Sequence, residues 1–195
     1  MQCYLSIHSH EDTLVTHTLA CEAYSKTKAD TCVLDISGKA MLVLPLKGGC
    51  LCGEVRYAVS GQPLLATMCH CTTCQKRTGS AFSMNLLVLQ RDFSTIQGST
   101  ITRELRTGSG STNRHHFCEA CLARTHTEPA AHPRLTYVRP GTLDLADNVV
   151  PTVQIWTRSA MRWSIFDGAK CYDEDMDDVA GQIQAWQKGN PVGLS

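Results

Sequence analysis

The chain has 195 residues and a formal net charge of zero, with 18 basic and 18 acidic side chains. This balance argues against nonspecific nucleic-acid binding, which depends on many Lys and Arg side chains that meet phosphates. The sequence has no apolar run near the ~20 residues of a membrane span and no secretory signal pattern at its start, so we expect a cytoplasmic protein without a membrane anchor.

The first 45 residues show no clear helical or strand periodicity. The length of the chain fits one domain with an extension, or two small domains, and we predict an N-terminal extension of unknown structure over 1–45. A separate metal site in this extension is the alternative, and its candidate ligands are Cys3, His8, His10, His17, Cys21 and Cys32. Their spacings match no compact ligand pair, which favours the extension.

Short apolar segments alternate with Gly- and Pro-containing turns over 46–168, which is typical of a mostly β domain. The segment 54–59 alternates Val55, Tyr57 and Val59 on one face, as a half-buried strand does. We predict further strands at 64–68, 81–90, 101–106, 114–117, 134–138 and 152–156. The Gly/Ser-rich turn between 101–106 and 114–117 predicts that these two segments form a hairpin.

The last part, 169–195, is predicted to be an acidic tail with a short helix. Acidic residues cluster over 173–178, and Val179, Ile183 and Trp186 follow at helical spacing. Acids at a helix start interact favourably with its dipole. We expect this helix to dock on the β domain; a helix that binds a partner is the alternative.

Eleven cysteines is a high number for a chain of this length without a secretory signal. In a reducing compartment, thiols and metal ligands are more common than disulfides. Seven of these cysteines lie in three short motifs, CLC, CHCTTC and CEAC, which contain Cys50, Cys52, Cys69, Cys71, Cys74, Cys118 and Cys121. Zinc is well suited to such thiolate groups, so the sequence predicts metal binding.

Seven ligands divide into four, which close a structural zinc site, and three, which leave one coordination position open as a catalytic zinc needs. The triplet of CHCTTC can supply three ligands from one loop, and the CLC and CEAC pairs would then share the other zinc. Spacing alone also permits CLC with part of the triplet. The hypothesis predicts two zinc ions per chain.

Iron–sulfur, haem and metal-free roles fit these cysteines less well than zinc does. The spacing matches neither common ferredoxin pattern of iron–sulfur ligation. Haem attachment at Cys71 and Cys74 is excluded because Gln75 stands where a His is required. Buried thiols without a metal are common singly, but seven in three tight groups are not expected.

The motifs resemble the family of glutathione-dependent formaldehyde-activating enzymes, which also contains centromere protein V. The resemblance runs from about residue 46 to residue 167, and it rests on GGCLCGEVRYAVSG (48–61), CHCTTCQKRTGSAF (69–82), FCEAC (117–121), EPAAHPR (128–134), RPGTLD (139–144) and IWTRS (155–159). The chain departs from the family pattern at Leu122, where a Gly commonly follows the second cysteine because a left-handed backbone is favoured there.

The resemblance implies an Mss4-like β-tent fold of short antiparallel strands that zinc staples together. It assigns the structural zinc to Cys50, Cys52, Cys118 and Cys121 and the catalytic-type zinc to Cys69, Cys71 and Cys74. It also implies a carbon–sulfur lyase that joins glutathione and formaldehyde to give S-hydroxymethylglutathione.

Several other residues near these motifs are candidates for the site. His70 lies between the ligands Cys69 and Cys71, and because successive side chains alternate in direction, we expect it to point away from the metal. A supporting or surface role is therefore expected for it rather than ligation. Of His115 and His116, we expect one to face the core and one the solvent. Lys76 and Arg77 could meet a carboxylate of a glutathione-like substrate or form a solvated loop edge.

Asp144 could accept a proton near the site, although an Asp beside a Pro-Gly turn is more often a backbone cap. Trp156 and Trp163 are expected to be core or rim aromatics rather than a substrate platform.

Two functions therefore compete. One is a zinc-dependent lyase that acts on a small thiol such as glutathione and an aldehyde; the other is a non-catalytic zinc-stapled β module that binds protein or chromatin. An accessible three-coordinate zinc would favour the enzyme. The neutral charge and acidic tail supply no basic patch for chromatin, so the sequence favours the enzyme.

Overall fold

The computed structural model of the protein describes residues 42–107, 110–190 and 192–194. The expectations for residues before 42, including the candidate ligands between Cys3 and Cys32, lie outside these ranges. The described residues belong to one compact unit.

Strands dominate the architecture, with two α-helices among the described residues. The strands are β1 Leu42–Leu44, β2 Leu46–Gly49, β3 Arg56–Val59, β4 Leu65–Cys69, β5 Ser83–Leu89, β6 Phe93–Gln97, β7 Thr100–Arg106, β8 Thr112–Cys118, β9 Arg124–Pro129, β10 Leu135–Val138, β11 Val153–Ile155, β12 Lys170–Cys171 and β13 Val192–Leu194, and the helices are α1 Thr72–Thr78 and α2 Val179–Gly189. The predicted mostly β fold of the tent type with a short C-terminal helix is confirmed.

The main sheet has eight strands in the order β12-β11-β4-β5-β10-β9-β8-β7. The run from β4 to β7 is antiparallel, and β11 pairs in parallel with both β4 and β12. A second sheet, β2-β3-β6, is antiparallel. The predicted hairpin exists, because β7 and β8 pair over their whole lengths.

The core lies among these sheets and is built as the sequence pattern predicts. Val55, Tyr57 and Val59 are all buried, so the alternation read at 54–59 is real. Tyr57 stacks on Phe93, with ring centroids 5.3 Å apart, and its hydroxyl lies 2.7 Å from Thr142 Oγ1. This contact joins the two antiparallel strands β3 and β6 to the segment that follows β10.

The predicted C-terminal helix docks on the domain. Asp178 caps α2 by accepting a hydrogen bond from the Gly181 N–H at 3.0 Å. Trp186 is 1% exposed, belongs to the main core and donates its indole N–H to the Val150 carbonyl at 2.9 Å. After α2, strand β13 pairs in parallel with β1. Within the described residues, no helix combines the length and the apolar character needed to cross a membrane.

Candidate metal centres

The cysteines of CLC and CEAC meet in space and form the four-cysteine group, Cys50, Cys52, Cys118 and Cys121, whose sulfur atoms all lie within 4.8 Å of one another. The Sγ of Cys52 is 3.4 Å from that of Cys50 and 3.7 Å from that of Cys118. Sulfurs bound to one Zn²⁺ at ~2.3 Å lie about 3.8 Å apart, whereas a disulfide needs about 2.05 Å. The group therefore has the dimensions of a tetrahedral thiolate site.

Two similar backbone turns build this group. Gly53 follows Cys52 with φ +83°, and Leu122 follows Cys121 with φ +57°. Leu122 departs from the glycine of the family pattern, yet it adopts the left-handed backbone that this pattern favours after the second cysteine of CEAC. The Val55 N–H donates to Cys50 Sγ at 3.2 Å, as backbone amides do to thiolates.

The electrostatics of the group favour ionisation of Cys50 and Cys121 but oppose ionisation of Cys52. Backbone N–H groups, that of Ala123 first, lower the pKa of Cys121 to about 6. Burial opposes ionisation of Cys50, yet the Val55 N–H lowers its pKa. The Glu54 backbone amide favours the Cys52 thiolate, but its neighbour Cys50 raises the pKa of Cys52 to about 12. A dication among the four sulfurs would allow all of them to ionise.

The CHCTTC motif forms the three-cysteine group, Cys69, Cys71 and Cys74, again with all sulfurs within 4.8 Å. The structure differs from the predicted single loop. Cys69 ends β4, Cys71 caps α1, and Cys74 lies in the first turn of α1. The helix forms because Cys71 Sγ accepts the Cys74 N–H at 3.3 Å, and it ends at Gly79, whose φ is +64°.

Hydrogen bonds among these sulfurs favour one thiolate. Donation from Cys69 and then from Cys74 lowers the pKa of Cys71 to about 2, and the same contact with Cys71 raises the pKa of Cys69. These contacts favour Cys71 as the thiol that ionises first, and a thiolate is the form that binds a metal.

His70 supports the three-cysteine group from behind. Its side chain is fully buried, with Nε2 3.3 Å from Gln154 Oε1. Gln75 donates its side-chain amide to the His70 carbonyl at 2.7 Å and to the Ser159 carbonyl at 2.8 Å. His70 is therefore not at the surface, and its supporting role for the three-cysteine group stays a prediction.

Three guanidinium groups, those of Arg77, Arg124 and Arg139, form the arginine cluster beside the three-cysteine group. Arg139 donates to Asn85 Oδ1 at 2.8 Å and to the Ser83 hydroxyl at 2.5 Å. Ser83 pairs directly with Cys69 across β4 and β5. Among the residues that the structure describes, no carboxylate lies within ion-pair distance of these three arginines.

Burial and mutual repulsion act on the arginine cluster. Burial first, and then the charge of Arg124, lower the pKa of Arg139 to about 9. Burial and Arg77 similarly lower the pKa of Arg124 to about 10. Cys69 and Cys74 act in the opposite direction on Arg139, so thiolates stabilise these cations. The cluster is an unbalanced positive region that suits an anionic ligand.

His115 connects the arginines. It is 2% exposed, its Nε2 lies 2.8 Å from Arg77 Nη1, and its Nδ1 lies 2.9 Å from Thr127 Oγ1. Burial, then the charges of Arg77 and Arg124, lower the pKa of His115 to about 3. A neutral His115 can accept from Arg77 at Nε2, while Nδ1 contacts both Thr127 Oγ1 and, at 3.2 Å, Arg124 Nη1. The core-facing histidine predicted at 115–116 is therefore His115, whereas the expectation that the other faces solvent is wrong, because the side chain of His116 is only 14% exposed.

The other sequence candidates are placed elsewhere. Asp144 accepts from Arg56, so it is an ion-pair partner rather than a proton acceptor of the three-cysteine group. Trp163 is 74% exposed, so it is no core aromatic. Trp156 is half-buried and donates to Asp175 at 3.0 Å.

The sequence interpretation missed Arg124 and Arg139. Arg139 begins the RPGTLD motif, and Arg124 lies just after CEAC. Their closeness to these motifs was the one feature of the sequence that could have marked them as site residues. Isolated basic residues are mostly solvated, and only the pairing of β4, β5, β10 and β9 brings these two beside the triplet.

Comparison with known proteins gives two results. The model of the family described as glutathione-dependent formaldehyde-activating enzyme matches residues 45–159. Among solved structures, the crystal structure of a Rhodobacter sphaeroides protein is 24% identical, and the match covers 51% of this chain and 89% of that chain with a TM-score of 0.42.

Proposed function

This chain belongs to the family of glutathione-dependent formaldehyde-activating enzymes, whose model matches more than half of its length, and we propose that it is a zinc-dependent carbon–sulfur lyase. Its substrates would be a glutathione-type thiol and a small aldehyde. The observation that carries the proposal is the contact region between the three-cysteine group and the arginine cluster, because it combines metal ligands with unpaired cations.

The reaction is an addition without oxidation or reduction. The thiol sulfur forms a bond to the carbonyl carbon, and the π electrons of the C=O bond move to oxygen. The oxygen takes up the proton that the thiol gives up, so the product is an S-hydroxymethyl thioether in the case of formaldehyde. The reverse reaction breaks the same carbon–sulfur bond.

The three-cysteine group, Cys69, Cys71 and Cys74, would hold the catalytic-type zinc and leave one coordination position open. The four-cysteine group would hold the structural zinc. Zinc bound by three thiolates supplies a Lewis acid that can lower the pKa of a bound thiol or polarise a carbonyl. His70 and Gln75 keep the ligand loop in place through the hydrogen bonds described above.

The arginine cluster would bind the carboxylates of the thiol substrate. A zinc dication with three thiolates has one net negative charge, which leaves an excess of positive charge on Arg77, Arg124 and Arg139. In a buried region such charges attract carboxylates more strongly than at a surface, and a planar guanidinium can bind a carboxylate with two hydrogen bonds. His115, kept neutral, holds Arg77 without a competing negative charge.

The first experiment is zinc analysis and kinetics on the wild type, Cys71→Ser and Cys118→Ser, with Cys171→Ser as a matched control because Cys171 is an exposed free thiol outside both groups. We expect Cys71→Ser to fold, lose one zinc and lose the rate of adduct formation above the uncatalysed rate. Cys118→Ser should not fold stably. A Cys71→Ser variant with unchanged rate would overturn the proposal.

One observation favours the alternative of a binding module. The segment 161–166 exposes the large apolar side chains Met161, Trp163, Ile165 and Phe166, and contiguous exposed apolar surface marks interaction sites. Phe166 packs edge-on against Phe82, with centroids 5.5 Å apart. A zinc-loaded wild type without measurable catalysis would support this alternative.

A further inference from the structure

Strand β8 has a second functional candidate on its other face. His115 and His116 are consecutive, so their side chains point to opposite faces of the main sheet. His116 stands directly opposite His126 in the β8–β9 register, and Glu128 follows two residues later on the same face of β9. His116, His126 and Glu128 therefore form a cluster on the face away from His115 and the arginine cluster.

The three side chains converge. The imidazoles of His116 and His126 are stacked, with centroids 4.1 Å apart and ring planes at 10°. His116 Nε2 is 3.6 Å from Glu128 Oε2, and each residue offers a ligand atom within 4.8 Å of the others. Donor atoms bound to one metal at ~2.0–2.2 Å lie roughly 3–3.5 Å apart, so metal binding would require the stacked imidazoles to rotate until their nitrogens and the Glu128 carboxylate face one ion.

The nitrogen that faces this space has no partner. His116 Nε2 is buried without a hydrogen bond to any described residue, and its distance from Glu128 is too long for one. The other nitrogen, Nδ1, lies 3.1 Å from Thr100 Oγ1, and His126 Nδ1 lies 2.9 Å from Thr125 Oγ1. Metal-bound histidines are typically oriented in this way, through a polar partner on the nitrogen that does not bind the metal.

The cluster borders a groove at the surface. The cluster lies in a groove of about 570 Å³ that Phe93, Thr95, Thr100 and Thr136 also line. Two imidazole nitrogens with one carboxylate oxygen suit zinc and neighbouring first-row metals, whereas Ca²⁺ and Mg²⁺ prefer oxygen ligands. Three protein ligands leave positions that water or a small ligand can occupy from the groove.

We propose that His116, His126 and Glu128 form a third metal site, which binds Zn²⁺ or a similar first-row dication and is separate from both cysteine groups. Arg114 contacts Glu128 Oε2 at 2.5 Å and orients the carboxylate. The positive charge of Arg114 also competes with the metal, so this site binds zinc more weakly than the thiolate groups do. The site does not depend on the proposed lyase reaction.

The test is a zinc count on the full chain without an affinity tag, dialysed against excess Zn²⁺ after the thiolate groups are loaded. We expect His126→Gln and Glu128→Gln to bind one zinc fewer than the wild type. His132→Ala should bind as many as the wild type, because His132 is exposed and outside the cluster. Circular dichroism identifies any variant that has not folded.

Glu128→Gln keeps the side-chain shape at a half-buried position, so it gives an answer even if the buried His126 cannot be replaced. Equal zinc counts for the wild type and a folded Glu128→Gln variant would overturn the third site. Loss of one zinc in His132→Ala as well would also overturn it, because exposed histidines would then account for the binding.

Discussion

At the residue scale, Leu122 shows how the turn of the CEAC motif tolerates an unfavourable residue. Its φ of +57° lies in the left-handed region, where a residue with a Cβ pays about 1–2 kcal/mol. The side chain is exposed, so it recovers little of that energy by packing. In this conformation the Leu122 N–H donates to the Cys118 carbonyl at 3.0 Å, and this hydrogen bond closes the turn.

Leu122→Gly should therefore stabilise the protein. The strain energy that glycine removes from the folded state is larger than the extra entropy that it gives to the unfolded chain. We therefore expect the free energy of unfolding to rise by about 0.5–1 kcal/mol, measured as a higher Tm at fixed zinc concentration. Leu122→Ala, which keeps the strain, is the control and should not raise the Tm. A lower Tm for Leu122→Gly would contradict this account of the turn.

The arginine cluster gives a second prediction at this scale, which rests on the proposed function. Arg139→Ala should raise KM for glutathione by roughly 10-fold or more, since a buried charge-assisted hydrogen bond contributes ~1.5–3 kcal/mol. The rise in KM should be small for a thiol substrate without carboxylates. Measuring KM with glutathione and with such a thiol distinguishes the loss of a carboxylate contact from general damage to the site.

The control for that experiment is Arg91→Ala, because Arg91 is exposed and outside the arginine cluster. An equal rise in KM for both thiols in Arg139→Ala would mean that Arg139 supports the structure of the site rather than the carboxylate. Arg139→Lys should only partly restore KM, because an ammonium lacks the planar pair of donors.

At the scale of elements, the contact of β2 with β3 depends on the absence of a side chain at Gly48. A Cβ there would lie 2.4 Å from both the Tyr57 hydroxyl and the Thr142 carbonyl oxygen. These two residues form the buried link between the second sheet and the segment after β10. Close approach, rather than an unusual backbone angle, is the reason for glycine in this strand.

We predict that Gly48→Ala lowers the free energy of unfolding by about 1–3 kcal/mol, the range found for overpacked cores. Gly141→Ala is the matched control, because a Cβ added at Gly141 would have no neighbouring atom within 4 Å and the φ of this residue is not positive. Thermal unfolding of both variants in the same buffer measures the difference. Similar Tm values for the two would show that Tyr57 moves aside without cost.

The same scale shows what the sequence could predict. Alternation located β3, and helical spacing located α2 with its buried Trp186, because both patterns report local burial. The helix α1 was missed, since a thiol cap at Cys71 is not a usual helix start signal. The order of the strands was beyond reach, because it depends on long-range pairing such as β4 with β11.

The candidate sites also divide into those that local sequence motifs predict and those that depend on long-range strand pairing. Thiolate groups were predictable because their ligands lie in short motifs within the chain. The arginine cluster and the pair His116 and His126 were not, since strand register alone makes these residues neighbours. The two histidines lie on different strands, and no local pattern reports the bulge between His116 and Phe117.

At the scale of the whole molecule, the four-cysteine group joins the second sheet to the main sheet. Cys50 and Cys52 follow β2, whereas Cys118 and Cys121 flank the turn from β8 to β9. The apolar cluster around these cysteines is small, with Val55 the one buried aliphatic side chain among its described residues. A metal ion bound by the four cysteines would therefore supply much of the stability of this junction.

Removal of zinc by a strong chelator should consequently lower the Tm and expose the junction first. Hydrogen exchange should accelerate at 50–55 and 118–123 before it does in β5, whose Leu86 and Val88 are fully buried in the main core. Restored zinc should reverse the change. Simultaneous loss of protection in β5 and in the junction would instead indicate one cooperative unit.

The alternation of β8 has a consequence for how this protein can evolve. His115 serves one face of the strand and His116 the other, so a single inserted residue upstream of them would exchange the two faces. Substitutions in β8 can modify either site alone, but insertions and deletions change both at once. We expect length variation among related chains to be confined to the turns on either side of Thr112–Cys118.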